Sequence, residues 1–325
     1  MKPARDHLTF FQRKERTPPP LPGADGGKSL LLNPAEIERF GNLLLFAQAK
    51  VEGYFSGKHR SIYYGSNVEF ADYQEYTPGE DIAHVDWRVY GRTQKLFLRR
   101  FEEETDMVVY LLVDGSASMQ YQGTGLETKY LQAGRIAAAL AYLMIHQGDK
   151  TALGLFSQTL DKYLPPGGTR RHLFNLVKEL EAAHPQARTG IDEALRQCAS
   201  VFRKRGRLVI LSDFLCDHAG LFDALGPFLH RKFEVLLLQV LDPDEMELPP
   251  VDIAQFVDME TGQVVEVEPD EIRRPYRENM VSLTDGLARQ SEGRRVQYSL
   301  VQTSNPYVSA IEAYLGFRSR GRGGR

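Results

Sequence analysis

The chain has 325 residues, 42% of them apolar and 26% charged, and its 40 Lys and Arg against 43 Asp and Glu leave a formal net charge of −3. These figures exclude a disordered chain, a collagen-like fibre and a disulfide scaffold. They also exclude a whole-molecule field that would drive nucleic-acid or anionic-membrane binding, so any charged recognition must be local.

Residues 1–32 read as an extended lead-in. Charges scattered through MKPARDHLTFFQRKER leave no apolar core for a signal peptide, and TPPPLPGADGGK is dense in Pro and Gly. Asn33 as N-cap, Pro34 at the first helical position and Glu36 in the first turn open an amphipathic helix. Its apolar positions Ile37, Phe40, Leu44 and Val51 carry it to Glu52. Up to residue 105 the chain is then rich in Tyr, Phe, Gly and charge, holds the only tryptophan, Trp87, and has turn signals at Pro78-Gly79 and Gly91-Arg92. Short strands and loops are expected there. Aromatics interleaved with charge could stack on single-stranded nucleic acid, but packing on a neighbouring sheet is the simpler account.

From 106 to 316 strands and helices alternate. VVYLLVD is an unbroken apolar run of the kind that parallel strands covered on both faces display, and a helix follows from Tyr130 to Gln147. The apolar run in that helix, Ile136 to Ile145, has about half of the roughly 20 residues a membrane span needs. ALGLFSQTLDKYLPP reads as a strand pair, Arg171 to Glu181 and Ile191 to Lys204 as helices, and RLVILSD as a second buried strand. A helix over Leu221 to His230, the strand FEVLLLQVLD and the hairpin AQFVDMETGQVVEVE follow. A helix over Asp270 to Gln290, the strand RVQYSLV and a helix over Tyr307 to Leu315 complete the series. This alternation predicts an α/β fold: a doubly wound, mostly parallel sheet with helices on both faces. Residues 317–325 close in the Arg/Gly-rich RSRGRGGR, a solvated tail that could touch RNA.

The chemistry concentrates where strands end. In open α/β sheets ligands bind beyond the carboxyl ends of the strands. VVYLLVDGSASM places Asp114, Ser116 and Ser118 there in a D-x-S-x-S pattern; RLVILSDF ends in Ser212-Asp213, and ARTGIDEAL puts Thr189 at the mouth of a helix. Two carboxylates and three hydroxyls at one sheet edge are hard oxygen donors suited to Mg²⁺, or to another divalent cation such as Mn²⁺ or Ca²⁺. Five such groups leave a position open, and its natural occupant is an acidic side chain of a partner protein.

This pattern resembles the von Willebrand factor A fold and its metal-ion-dependent adhesion site, matched by Asp114, Ser116, Ser118, Thr189 and Asp213, with Thr189 to Leu195 fitting the T-x-[IL]-x-x-A-L continuation. A second resemblance covers more of the chain, from Glu36 to Leu315. Gly57 to Ser61, Glu69-Phe70, Tyr76, Pro78-Gly79, Asp81, Asp86-Trp87, Arg92-Thr93 and Phe101-Glu102-Glu103 are similar to the bacterial domain-of-unknown-function 58 family, in which such a segment precedes an A-type domain. That resemblance implies partnership with a MoxR-type AAA+ ATPase in chaperone-like assembly or maturation of other complexes. Many members begin with two membrane-spanning helices. None is seen here, so a soluble, cytoplasmic protein is expected.

Enzyme readings find less support. A P-loop is missing, and Ser116 stands where a haloacid-dehalogenase-type phosphatase needs its second aspartate. Gly115-Ser116-Ala117-Ser118 is not a nucleophile elbow. The eight histidines, and Cys198 and Cys216, stand in no metal-binding spacing, so neither structural zinc nor a disulfide framework is expected. A non-enzymatic interaction module is the expectation. A metal-dependent hydrolase using the same cation, and an RNA-associated protein acting through the tail, stand as alternatives.

Overall fold

An unbroken apolar run forms a strand only where both of its faces are covered, and the fold is organised around the first such run. The structure, a computed structural model, describes residues 10–11, 69–76, 85–102, 108–186, 188–249, 254–257, 264–267 and 269–321. The N-terminal helix expected over Asn33 to Glu52 and the Pro78-Gly79 turn lie outside the described residues, as do the last four residues of the tail.

In chain order the elements begin with β1 (Phe10–Phe11), β2 (Glu69–Glu75), α1 (Trp87–Thr93), β3 (Phe97–Glu102) and β4 (Val108–Asp114). A 3₁₀ turn (Ala117–Gln120), α2 (Lys129–His146), β5 (Lys150–Phe156), β6 (Leu160–Gly167), α3 (Arg170–Ala182), α4 (Ile191–Val201) and β7 (Arg207–Ser212) follow. The series ends with α5 (His218–His230), β8 (Glu234–Leu241), α6 (Pro243–Met246), β9 (Ala254–Val257), β10 (Val264–Val267), α7 (Pro269–Gly293), β11 (Gln297–Gln302) and α8 (Val308–Gly321).

The chain divides into two compact units, residues 48–106 and the remainder. In the smaller, β2 and β3 pair antiparallel, from Glu69 opposite Glu102 to Glu75 opposite Phe97. The turn expected at Gly91-Arg92 is instead inside α1. The Asp86 carboxylate accepts the Arg88 and Val89 N–H groups, and Gln94 closes the helix in the left-handed conformation. This local cap outweighs the turn preference of one glycine.

In the larger unit six strands lie in the order β11-β8-β7-β4-β5-β6, and β1, β9 and β10 form a separate antiparallel sheet. β11, β8, β7, β4 and β5 run parallel, and β6 returns antiparallel along β5. β4 is buried along its whole length, and alternate residues serve opposite faces. Val109, Leu111 and Val113 pack with α2, α3 and α8. Val108, Tyr110 and Leu112 pack with α4 and α5 and with Leu287 of α7. The architecture is the doubly wound, von Willebrand factor A-like α/β fold expected. After β4 the chain passes to β5 on one side, and later to β7 on the other, so the carboxyl end of β4 is the switch point where such sheets bind ligands.

The last helix differs from expectation by continuing to Gly321. Its extension has buried anchors: the Phe317 ring lies 6.0 Å from Tyr314, and Arg318 is buried with a guanidinium nitrogen 3.9 Å from Asp149. Composition alone reads this stretch as tail, because it carries no sign of those contacts. Among the described residues, no helix is long and apolar enough to cross a membrane.

Candidate metal centre

Asp114 ends β4 opposite Phe156 of β5, while the neighbouring pair Val113 and Leu211 brings Ser212 and Asp213 of the next strand alongside. Past Asp114 the chain is tied to β5 by the Gly115 N–H donating to the Phe156 carbonyl at 2.6 Å, and the 3₁₀ turn carries Ser118. Parallel pairing of two strands, one ending in an aspartate and the other followed at once by one, therefore gathers both carboxylates at one edge.

Direct hydrogen bonds join four of the five expected residues. The Ser116 N–H donates to Asp114 Oδ1 at 2.9 Å, and the Ser116 and Ser118 hydroxyl oxygens stand 3.1 Å apart. Ser118 Oγ donates to Asp213 Oδ2 at 2.7 Å. Thr189 is half-buried at the same edge, where the next N–H, that of Gly190, donates to the Ser157 carbonyl just past β5 at 2.8 Å. A side chain at Gly190 would stand 2.5 Å from the Gln158 carbonyl oxygen, so glycine lets the Thr189 loop approach this closely.

Four further residues, outside the expected five, join this edge. Ser212 Oγ donates to Asp114 Oδ2 at 2.5 Å, and Gln239 Nε2 donates to the Asp213 carbonyl at 2.7 Å. Lys129, fully buried at the first position of α2, donates through Nζ to Asp213 Oδ2 at 2.8 Å and to Glu245 Oε1 at 2.6 Å. A cation opening a helix opposes the helix dipole, and that misplacement was the available signal for Lys129. Ser212 adjoins the motif aspartate and was visible as a neighbour. Gln239 carries no motif, since only the pairing of β7 with β8 brings it in, and Glu245 is marked in the sequence only as part of the Asp242-Pro243-Asp244-Glu245 capping box that opens α6.

Charge is distributed unevenly. Burial, reinforced by the Asp213 charge, pushes the Asp114 carboxyl up to about 7 against the hydrogen bonds it accepts. Burial opposes ionisation of Asp213 too, but the Lys129 ammonium and the donors on its oxygens hold its carboxyl below the usual range. For Lys129 burial works against the charge, and the two carboxylates overcome it. Burial and the Asp213 charge push Glu245 up to about 7 even with Lys129 beside it.

These residues fit a divalent cation. Two cis ligands on an octahedron of roughly 2.1 Å radius stand about 3.0 Å apart, close to the 3.1 Å between the Ser116 and Ser118 oxygens. A hydroxyl that donates a hydrogen bond to a carboxylate, as Ser118 does, keeps lone pairs for a cation. Asp114 and Asp213 are buried like charges whose repulsion a cation would relieve. The donors are hydroxyls as much as carboxylates: among the described residues no group of three or more His, Cys, Asp or Glu could hold a metal ion. Such an ion would therefore complete its shell with water or an external ligand.

The family model described as "Protein of unknown function DUF58" matches residues 72–283. Uncharacterized proteins of Mycobacterium bovis and Mycobacterium tuberculosis are each 28% identical over 286 residues, 86% of this chain and 88% of the relative. Among solved structures, the conserved hypothetical protein BatB from Bacteroides thetaiotaomicron is 19% identical, with a TM-score of 0.46 over 66% of this chain and 98% of that one. An aerotolerance-related membrane protein from Bacteroides fragilis is 20% identical, also at 0.46, over 65% of this chain and 98% of that chain.

Proposed function

The chain belongs to the DUF58 family, and from that footing we propose that it is a non-enzymatic interaction module that takes an acidic side chain of a partner protein at the carboxyl edge of its six-stranded sheet. A divalent cation, Mg²⁺ or in its place Mn²⁺ or Ca²⁺, supplies when bound a positive charge with open positions. Asp114, Ser116, Ser118, Thr189 and Asp213 are the residues that would hold it. The observation that carries the reading is the 3.1 Å pair of serine oxygens set between two buried carboxylates.

The chain's own groups prepare the site in three ways. Ser212 and the Ser116 N–H fix the Asp114 carboxylate from both oxygens. Asp213 accepts the hydrogen bond of the Ser118 hydroxyl and so orients it. The packed sheet beneath excludes water, which strengthens electrostatic attraction at the edge. The family resemblance supports a MoxR-type AAA+ ATPase as companion in chaperone-like assembly or maturation of protein complexes, with the acidic side chain supplied by a client. ATP hydrolysis then belongs to the companion.

The test is capture of a purified MoxR-type ATPase, and separately of an acidic client peptide, by the immobilised full chain in Mg²⁺ and in chelator. Capture that needs Mg²⁺ and fails with Asp114→Ala is expected. Capture indifferent to chelator would remove the cation from the account, and Mg²⁺-dependent phosphatase turnover abolished by Asp213→Ala would favour a hydrolase.

A further inference from the structure

Lys129 has no part in holding the cation, yet its ammonium is fully buried and rests on Asp213, one of the residues that would. Its position is costly twice over. Burial strips the charge of water, and the first turn of α2 points its positive end at the ammonium. A cap or a packing role needs no cation there, since Thr128 already caps the helix by accepting the Leu131 N–H.

What the ammonium does change is the charge seen by an incoming ion. Asp213 Oδ2 carries both the Ser118 hydroxyl and Lys129 and its Oδ1 accepts the Leu215 N–H, so much of its charge is met, though enough remains to push the Asp114 carboxyl up. Asp114 is held by neutral donors, the Ser116 N–H and the Ser212 hydroxyl. A divalent ion at this edge therefore meets about one uncommitted negative charge and the field of a nearby ammonium. We propose that Lys129 is an internal counter-cation that lowers the site's affinity for a bare divalent ion and leaves charge on that ion for a partner's carboxylate. The proposal rests on the metal reading above and assigns Lys129 a positioning and charge-setting role in it. Glu245 is the counterweight: its Oε1 takes the ammonium, while its Oε2 accepts the Asp242 N–H at 2.8 Å.

The two residues give opposite predictions. Lys129→Met combined with Glu245→Gln deletes one charge of each sign, leaves the formal net charge unchanged, and keeps an amide oxygen for the Asp242 N–H. The nearer charge lost is the positive one, so calorimetric titration of the full chain with MgCl₂ alone should show binding about tenfold tighter. Glu245→Gln alone leaves Lys129 with less compensation and should bind MgCl₂ several-fold more weakly. Melting curves of each variant check the fold, and Glu245→Gln decides the matter if the double variant does not fold. Binding by the double variant that is equal or weaker, or binding by Glu245→Gln that is unchanged or tighter, overturns the role of Lys129 and leaves the metal site standing. No heat of Mg²⁺ binding in any of the three chains overturns the metal reading, and this proposal with it.

Discussion

Asp242→Asn should destabilise the fold by about 4–6 kcal/mol although the two side chains are nearly isosteric. Asp242 follows β8 and is fully buried. Its Oδ2 accepts the Gly123 N–H at 3.1 Å, the Gly125 N–H at 3.1 Å and the Thr303 hydroxyl at 2.9 Å, while Oδ1 accepts the Asp244 N–H at 3.0 Å. An amide has one acceptor oxygen, which must face the three donors. Its NH₂ then opposes the Asp244 N–H. One hydrogen bond is lost outright, at about 1–3 kcal/mol for an unsatisfied donor, and three fall from charge-assisted to neutral strength, at about 1 kcal/mol each. Against a total stability of about 5–15 kcal/mol this is a large share. Urea denaturation is the assay. With a slope of about 3 kcal/mol per molar, the midpoint should fall by more than about 1 M. A midpoint within about 0.3 M of the parent chain's, at unchanged slope, would refute the idea that this carboxylate anchors the loop between the serine motif and α2.

Three further expectations concern other parts of the fold. Gly190→Ala drives a methyl group against the Gln158 backbone and should cost about 1–3 kcal/mol; Gly168→Ala, whose nearest neighbours stand at 3.6 Å, should be neutral in the same melting assay. Gly286 lies inside α7 with open space around a would-be Cβ and no proline after it. Gly286→Ala should therefore raise stability by about 0.5–1 kcal/mol, and a lowered melting temperature would contradict the open-face description. Burial pushes the Cys198 thiol up to about 12. An upward shift keeps the reactive thiolate away at neutral and mildly alkaline pH, so Cys198 in the native chain should resist a thiol reagent at pH 8 and react only on unfolding, with labelling at the free-thiol rate as the contrary result.

Periodicity exposed the sheet because burial on both faces leaves an unmistakable trace: VVYLLVD, RLVILS and EVLLLQVL are β4, β7 and β8. The starts of α2 and α3 were expected at Tyr130 and Arg171, one residue inside the observed Lys129 and Arg170, where Thr128 and Thr169 cap the helices. Ends were less legible, since helices stop or continue according to tertiary contacts, as Phe317 and Arg318 show in α8. At the candidate site, Asp114, Ser116, Ser118 and Asp213 were readable from strand ends plus the parallel rule. The charged layer beneath them was not. Lys129 and Glu245 lie 116 residues apart and meet only because α2 and α6 approach the same strand ends. Local spacing cannot carry a contact of that kind.

The central claim, that serine hydroxyls and buried carboxylates at the end of β4 hold a divalent cation, meets its most direct test in the melting temperature of the full chain as MgCl₂ is added. At ten times the dissociation constant, mass action should add about 1.4 kcal/mol, a rise of a few degrees for a protein of this size. The parent chain should show that rise and the Ser116→Ala, Ser118→Ala double variant should not. An equal rise in both chains, or none in the parent at saturating MgCl₂, would contradict the claim.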